Sequence, residues 1–379
     1  MKNKRNLLLI SLDCLRADVG YSGQFPNIER LRKQGSSFMN TISSAPLTPI
    51  SHATVLTGLQ PYNHGIRHLF KEKLNKDCTT LQEIFKKNGY NTAAIVSCPG
   101  MNKWYGFGKG FELYDDEIPK LPDGTDALKT IDVKLRGCAL KRANVVTEKA
   151  IKYLNKIDKS ENFFLFVHYF DAHWPYEAPE KYGGKNCYEE EVAFSDHYLG
   201  MLFDEIKRLG LEESTDIVCF SDHGEDLAGL YSDDHAGKRL GHPEEEGHGC
   251  LLFEVTQKVL FIVKTNNLQK NSKIDTQVRL VDLFPTVLDI FNLKNPGKVD
   301  GTSLLPLLQG KQIEALPAYS ETFYPEELAN KDKVFSNISS KRSIRIANKH
   351  KIIFNVKDNN FEIYDLEKDK NEKEPIAFG

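Results

Sequence analysis

The sequence predicts an α/β fold in which a mostly parallel sheet is flanked by helices and followed by a small C-terminal antiparallel-sheet subdomain. Three observations predict it. Short apolar runs, suited to strands buried on both faces, alternate with segments of helical periodicity. Several of those runs end in carboxylates or histidines, and strand carboxyl ends are where such sheets bind ligands. After about Gly310 the pattern changes to short strands separated by Asn, Lys and Asp turns. The expected division is therefore an α/β domain over residues 1–310 and a β subdomain over 311–379.

Leu7-Leu8-Leu9-Ile10-Ser11-Leu12 is nearly continuous apolar sequence ending at Asp13. With the basic Met1–Arg5 before it, the run imitates a signal peptide. It stops at Asp13, lacks a small-residue cleavage site and is followed by Arg16 and Asp18, so it reads as a buried first strand. Pro26 to Gly35 reads as a helix with Pro at its start and Gly just past its end. Thr80 to Gly89 is a second helix, and Tyr90 to Ser97 a strand. Phe163 to Tyr169 is an apolar strand running into Asp171-Ala172-His173. Val192 to Leu209 has helical spacing and precedes the strand Asp216 to Phe220, which ends at Ser221-Asp222-His223-Gly224-Glu225. Val259 to Val263 is a strand and Leu280 to Phe291 a helix. Ser343–Ala347, Lys351–Asn355 and Phe361–Tyr364 are the short strands of the subdomain, with a hairpin loop at Asp358-Asn359-Asn360. The mixed-charge run Glu367 to Lys373 reads as a solvated tail.

The 379 residues are 40% hydrophobic and 27% charged, which excludes a disordered chain. A net charge of −3, from 50 Lys+Arg against 53 Asp+Glu, gives no argument for a nucleic-acid polymer or a membrane surface as partner. No apolar stretch approaches the ~20 residues of a membrane span. Seven scattered cysteines without a CxxC pair point to a reducing, cytoplasmic setting.

Asp13, and Asp222 with His223, stand at two strand ends. Carboxylates with an imidazole suit Mg²⁺, Mn²⁺, Ca²⁺ or Zn²⁺. The plainer readings are a helix cap for Asp13 and a capped turn with a hydrogen-bonded histidine for the second group. In Ala45 to Gly58, Thr48 precedes Pro49 at the start of a helix. A hydroxyl there would gain from the positive end of the helix dipole as a nucleophile, or would simply cap the helix. Ser51 competes with it on composition.

These segments together resemble the sulfatase branch of the alkaline phosphatase superfamily, along nearly the whole chain. Asn6 to Gly20 resembles the family's opening strand and metal-binding Asp. Pro26 to Gly35 resembles the helix that follows. Thr48-Pro49-Ile50-Ser51-His52, through Thr57-Gly58 to His64-Gly65, resembles the nucleophile signature. Asp171–Tyr176, Ser221–Glu225, Gly247-His248-Gly249, Asp282–Thr286, Asp300–Leu307 and Ile363–Leu366 resemble further blocks in order. The resemblance implies an alkaline-phosphatase-like fold and an ester hydrolase acting on a small anionic ester. It implies Asp13, Asp222, His223 and Thr48 as metal ligands and Thr48 as nucleophile. His52 falls where sulfatases carry an Arg. His173 and His248 would face the substrate's anionic group or leaving oxygen.

Two departures shape the functional expectation. Sulfatases of the family carry Cys or Ser at the nucleophile, oxidised to formylglycine, and Thr48 cannot become that aldehyde. Where they have two successive Asp residues, this chain has Asp13-Cys14. Cys14 reads chiefly as a packing residue, with a soft-ligand role favouring Zn²⁺ as the alternative. The expectation is thus one divalent ion, Mn²⁺ or Zn²⁺ favoured, and hydrolysis of phosphate or phosphonate esters through a covalent Thr48 intermediate. A second ion would draw on Asp171, His173 and His248. The competing readings are a sulfate-ester hydrolase working without formylglycine, a phospho-group transferase and a non-enzymatic binding protein. His64 and His68 read as packing or pocket-edge residues, and Trp174 and Tyr176 as a substrate wall or core. Ser232 to Gly247 reads equally as a lid or a plain solvated loop, and Met101 to Thr130, with the C-terminal subdomain, as a specificity loop.

Overall fold

Leu7 and Leu9 pack into one apolar core while Leu8, Ile10 and Leu12 pack into another. Alternation in a strand sends successive side chains to opposite faces, so a run apolar at nearly every position is covered on both sides. That run is β1 (Asn6–Leu12), buried throughout. The structure, a computed structural model, describes residues 5–118, 120, 124, 141–174, 176–178, 181–235, 247–330 and 338–379. Among them β1 lies inside an eight-stranded sheet. Its order is β10 (Ser272–Ile274), β2 (Ser36–Phe38), β9 (Phe261–Lys264), β7 (Thr215–Phe220), β1, β6 (Phe163–Tyr169), β4 (Asn91–Ile95) and β5 (Leu113–Asp115). The five strands β7-β1-β6-β4-β5 run parallel, β10 is parallel to β2, and β9 is antiparallel to both its neighbours.

The expected strand Val259 to Val263 is two strands. β8 (Lys258–Val259) pairs with β3 (Thr41–Ile42), which also pairs with β11 (Val278–Arg279), and β9 joins the large sheet. The break falls at Leu260, whose N–H and C=O bond the Ser221 Oγ and N–H instead of either ladder.

The longer helices cover both faces. On one face lie α2 (Thr48–Thr57), α3 (Leu81–Lys87) and α6 (Leu283–Ile290), through Ile50, Leu56, Phe85 and Phe284. On the other lie α1 (Pro26–Gln34), α4 (Ala143–Leu154) and α5 (Cys187–Arg208), through Ile28, Leu31, Val146 and Leu199. The chain leaves α2 through Gly58 at φ +68, where a Cβ would come within 2.8 Å of the Phe284 ring, so only glycine closes this turn. No helix among the described residues is long and apolar enough to cross a membrane.

At the carboxyl end β12 (Ala318–Thr322), β13 (Lys341–Ile346), β14 (His350–Asn355), β15 (Asn360–Asp365) and β16 (Ala377–Phe378) form an antiparallel sheet in that order. The three expected short strands are its centre. It is tied to the main sheet by Glu321 N–H on Ser44 O at 3.0 Å and by a core in which Phe253 and Val255 meet Ile353 and Tyr364. The expected solvated tail is not fully solvated. Glu372 is 1% exposed, accepts from the Glu254 N–H and pairs with Lys351 at 3.1 Å, because buried Lys351 needs a counter-charge. Most of the candidate lid, including His242, lies outside the described residues, as do ten of the thirty positions of the specificity loop, all after residue 118.

Candidate active site

The carboxyl ends of β1, β6 and β7 build the site, because parallel neighbours end on the same side of the sheet. Ser11 is in register with both His168 and Phe220. Asp13 follows β1, with its N–H on Tyr169 O at 2.9 Å, and Asp222 follows β7. α2 delivers Thr48 as its first residue. Leu47 occupies the cap position, so the Thr48 hydroxyl does no capping. Its Oγ1 donates to Asp13 Oδ2 at 3.1 Å and lies 3.5 Å from His223 Nε2. Gly100 lets the backbone pass close by, since a Cβ there would stand 3.3 Å from Thr48 Cβ. Ser51, the rival nucleophile, is fully buried and donates to the Asp222 carbonyl at 2.8 Å.

Electron pairs converge here faster than donors. His223 Nδ1 must donate to the Gly224 carbonyl at 3.0 Å, which leaves a lone pair on Nε2 of the neutral ring. Asp222 Oδ2 lies 3.4 Å from that nitrogen and is buried without a hydrogen-bond partner among the described residues. Burial, then the neighbouring Asp13 charge, pushes Asp222 up to about 7. Burial also opposes the charge on Asp13, but the His168 hydrogen bond and nearby imidazoles outweigh it and hold Asp13 well below the usual carboxylate range. A buried orphan oxygen beside a second carboxylate and an imidazole lone pair is the donor set a divalent cation satisfies. Asp13, Asp222, His223 and Thr48 fit such an ion.

His168 carries a role the sequence reading missed. Ser97 N–H points at its Nδ1 at 3.4 Å, so Nε2–H donates to Asp13 Oδ2 at 3.0 Å. The signal available was one histidine at the carboxyl end of an otherwise apolar central strand. His52, which falls where the resembling sulfatases carry an Arg, is fully buried. Its Nδ1 donates to the Thr48 carbonyl at 2.7 Å and its Nε2 accepts from Ser11 Oγ at 2.8 Å. Burial, then His168, lowers it to about 3, so the ring is neutral and both nitrogens are engaged in holding Thr48 and β1 together. His64 packs, with Nε2 3.2 Å from Thr54 Oγ1 and Nδ1 taking the Ile66 N–H.

On the other flank the His173 and His248 rings lie 4.9 Å apart, and His248 lies 4.2 Å from His223. Glu225, to which the sequence reading gave no role, is buried with Oε1 2.9 Å from His248 Nδ1. Asp171 is turned away from this pair. Arg142 Nε lies 2.9 Å from its Oδ1, which also takes the Ala143 N–H. Arg16 pairs with Asp18 and further binds Asp233, Asp234 and the Glu225 carbonyl with a side chain only 1% exposed. Replacing Arg16 with Met strands the buried Asp234 carboxylate. Unfolding free energy is expected to fall by roughly 3–5 kcal/mol, read as an earlier urea midpoint at unchanged slope.

A hydroxyl on a helix N-terminus beside two buried carboxylates and an imidazole lies at the carboxyl ends of a parallel sheet, where such folds bind ligands. The comparisons narrow this. The model of the Sulfatase family matches residues 5–293, and that of the N-sulphoglucosamine sulphohydrolase C-terminal region matches residues 249–378. The chain belongs to the sulfatase family. It is 26% identical over 364 residues to an ulvan-active sulfatase of Formosa agariphila, covering 82% of this chain and 66%, just under two thirds, of that relative. A protein solved with its substrate D-glucosamine-2-N,6-O-disulfate superposes with a TM-score of 0.73 at 18% identity, over 99% of this chain and 93% of that one. The phosphonate monoester hydrolase of Agrobacterium radiobacter gives 0.73 at 18% identity, over 99% and 92%. Likeness at that identity speaks for the fold.

Proposed function

We propose that this chain hydrolyses phosphate monoesters or diesters, or phosphonate esters, through a covalent intermediate on Thr48. The observation that carries the reading is the threonine itself. Its Oγ1 stands at a helix N-terminus, hydrogen-bonded to Asp13, and oxidation of a threonine yields a ketone rather than the aldehyde that resembling sulfatases employ. Asp13, Asp222, His223 and Thr48 would hold one divalent ion, Mn²⁺ or Zn²⁺ favoured. When bound it would polarise an ester oxygen and make the hydroxyl more acidic.

Thr48 Oγ1, oriented by its hydrogen bond to Asp13 Oδ2, attacks phosphorus in line and loses its proton to solvent. The bond to the leaving oxygen breaks and that oxygen takes up a proton from solvent. The leaving oxygen departs on the His173–His248 flank. Water then cleaves the phospho-threonine and restores the hydroxyl. His168 positions Asp13, and His52 positions Thr48 through its carbonyl. The free thiols of Cys14, Cys78, Cys98, Cys187, Cys219 and Cys250 support a cytoplasmic setting. We also propose that the catalytic unit ends near residue 310, before β12.

The test is a parallel screen of p-nitrophenyl phosphate, bis-p-nitrophenyl phosphate, p-nitrophenyl phenylphosphonate and p-nitrophenyl sulfate, each with Mn²⁺, Zn²⁺, Mg²⁺ or Ca²⁺. Turnover of the phosphorus esters and none of the sulfate is expected. The sulfatase name of the relative favours sulfate as the second reading, and sulfate as best substrate would replace the phosphorus reading with it. Weak hydrolysis accelerated by an added alcohol would replace hydrolysis with phospho-group transfer.

A further inference from the structure

Cys14 sits where a packing residue has no reason to sit. Its φ of 57 places it in the left-handed region, which non-glycine residues adopt at a cost and which recurs at functional sites. The conformation is held from both sides. Its N–H donates to Asp222 Oδ1 at 3.3 Å, and its carbonyl accepts from the Tyr188 hydroxyl at 2.7 Å. The result is a fully buried Sγ aimed between the two halves of the site, 3.0 Å from Asp13 Oδ1 and 3.5 Å from His248 Nδ1.

His173 supplies the second, independent observation. Its Nδ1 lies 2.7 Å from the Trp174 carbonyl, an obligate acceptor, so the ring must donate there. With Nδ1–H donating there, Nε2 of the neutral ring presents a lone pair. A neutral His173 therefore cannot serve the leaving oxygen as a hydrogen-bond donor. An imidazole whose other nitrogen is pinned to a carbonyl is the arrangement seen in metal-ligating histidines. Sulfur and nitrogen donors of Cys14, His173 and His248 lie within 4.8 Å of one another, close to the span of two ligand bonds of about 2.0–2.3 Å. The buried Glu225 carboxylate against His248 places negative charge beside them.

We propose that Cys14, His173 and His248 hold a second, thiophilic divalent ion of the zinc class, next to the ion seated by Asp13, Asp222 and His223. Sulfur with two imidazoles selects zinc over Mg²⁺ or Ca²⁺, and three protein ligands leave a fourth position open. The thiol gives up its proton to solvent as the ion binds. The open position lies on the flank that the Thr48 reading assigns to the leaving oxygen. The functional meaning of the second ion rests on that reading, whereas its binding does not.

The test loads the full chain with Co²⁺ and reads ions per chain by mass spectrometry together with the near-ultraviolet sulfur-to-cobalt charge-transfer band. The wild type is expected to hold two ions and show the band. Cys14→Ser is expected to lose the band and one ion. His173→Gln, with the sulfur in place, is expected to lose one ion too, with circular dichroism confirming its fold. A single ion per chain in the wild type overturns the proposal, with a band (Cys14 then serves the first ion) or without one. An unchanged count and spectrum in Cys14→Ser overturns it as well. No substrate is present in these measurements, so failure of the ester reading leaves them untouched.

Discussion

Thr48→Ala is expected to lower kcat/KM by about 10³-fold or more on whichever phosphorus ester the chain turns over, a loss of about 4 kcal/mol of transition-state stabilisation. The hydroxyl is the attacking atom, so nothing in the variant can form the intermediate. The fold should be untouched, because Thr48 Oγ1 caps no backbone group and its contacts, Asp13 Oδ2 at 3.1 Å and His223 Nε2 at 3.5 Å, lie within the site. Thr48→Ser keeps the oxygen and is expected to stay within about tenfold, the remaining loss coming from a freer χ1. Steady-state kinetics on both variants, with quenched samples examined for a phosphorylated Thr48 peptide in the wild type, checks the assignment. Full activity in Thr48→Ala would remove Thr48 as nucleophile and return Ser51 or an activated water to consideration.

Asp222→Asn should separate activity from stability in opposite directions. Activity is expected to fall by about 10³-fold, because the variant removes a charged ligand from the proposed ion and with it the polarisation of the ester. The metal-free chain should instead become more stable. Burial and the Asp13 charge push the Asp222 carboxyl up to about 7, above its unfolded range. A carboxyl raised in the folded state favours folding only while protonated. Its cost therefore appears as pH rises past the unfolded pKa and is complete above the folded one. Asparagine removes that cost, so the gain over wild type in chelator should be larger at pH 8 than at pH 5. With saturating metal the order should reverse, since only the wild type gains the binding free energy. Thermal melts at two pH values, with chelator and with Mn²⁺ or Zn²⁺, read all four arms. A wild type that is more stable than Asp222→Asn in chelator at pH 8 would remove the carboxylate repulsion from the account.

Much of the fold was legible because it rests on local rules. Phe163–Tyr169 matches its expected bounds, and the helix at Pro26 stops before Gly35 as its punctuation demands. The antiparallel strands near residues 343–364 follow from short β-rich runs between turns. The elements that slipped were those whose boundaries are set by partners. Val259 to Val263 reads as one strand, and only Ser221 reaching across to Leu260 divides it between two sheets. Glu372 looks like part of a solvated run until Lys351 is placed beside it.

The same line runs through the site. The sequence by itself determined the α/β class, the strand-end positions of Asp13, Asp222 and His223, and the helix start at Thr48, since each follows from periodicity, punctuation or an ordered motif. Tertiary structure decided which of these atoms face one another. It turned Asp171 to Arg142, locked both nitrogens of His52, brought His168 against Asp13, set Glu225 behind His248 and aimed the Cys14 sulfur into the site. Those outcomes depend on hydrogen bonds between residues distant along the chain and on which ring nitrogen already has a partner. Neither is encoded in the spacing of residue types along one strand or helix.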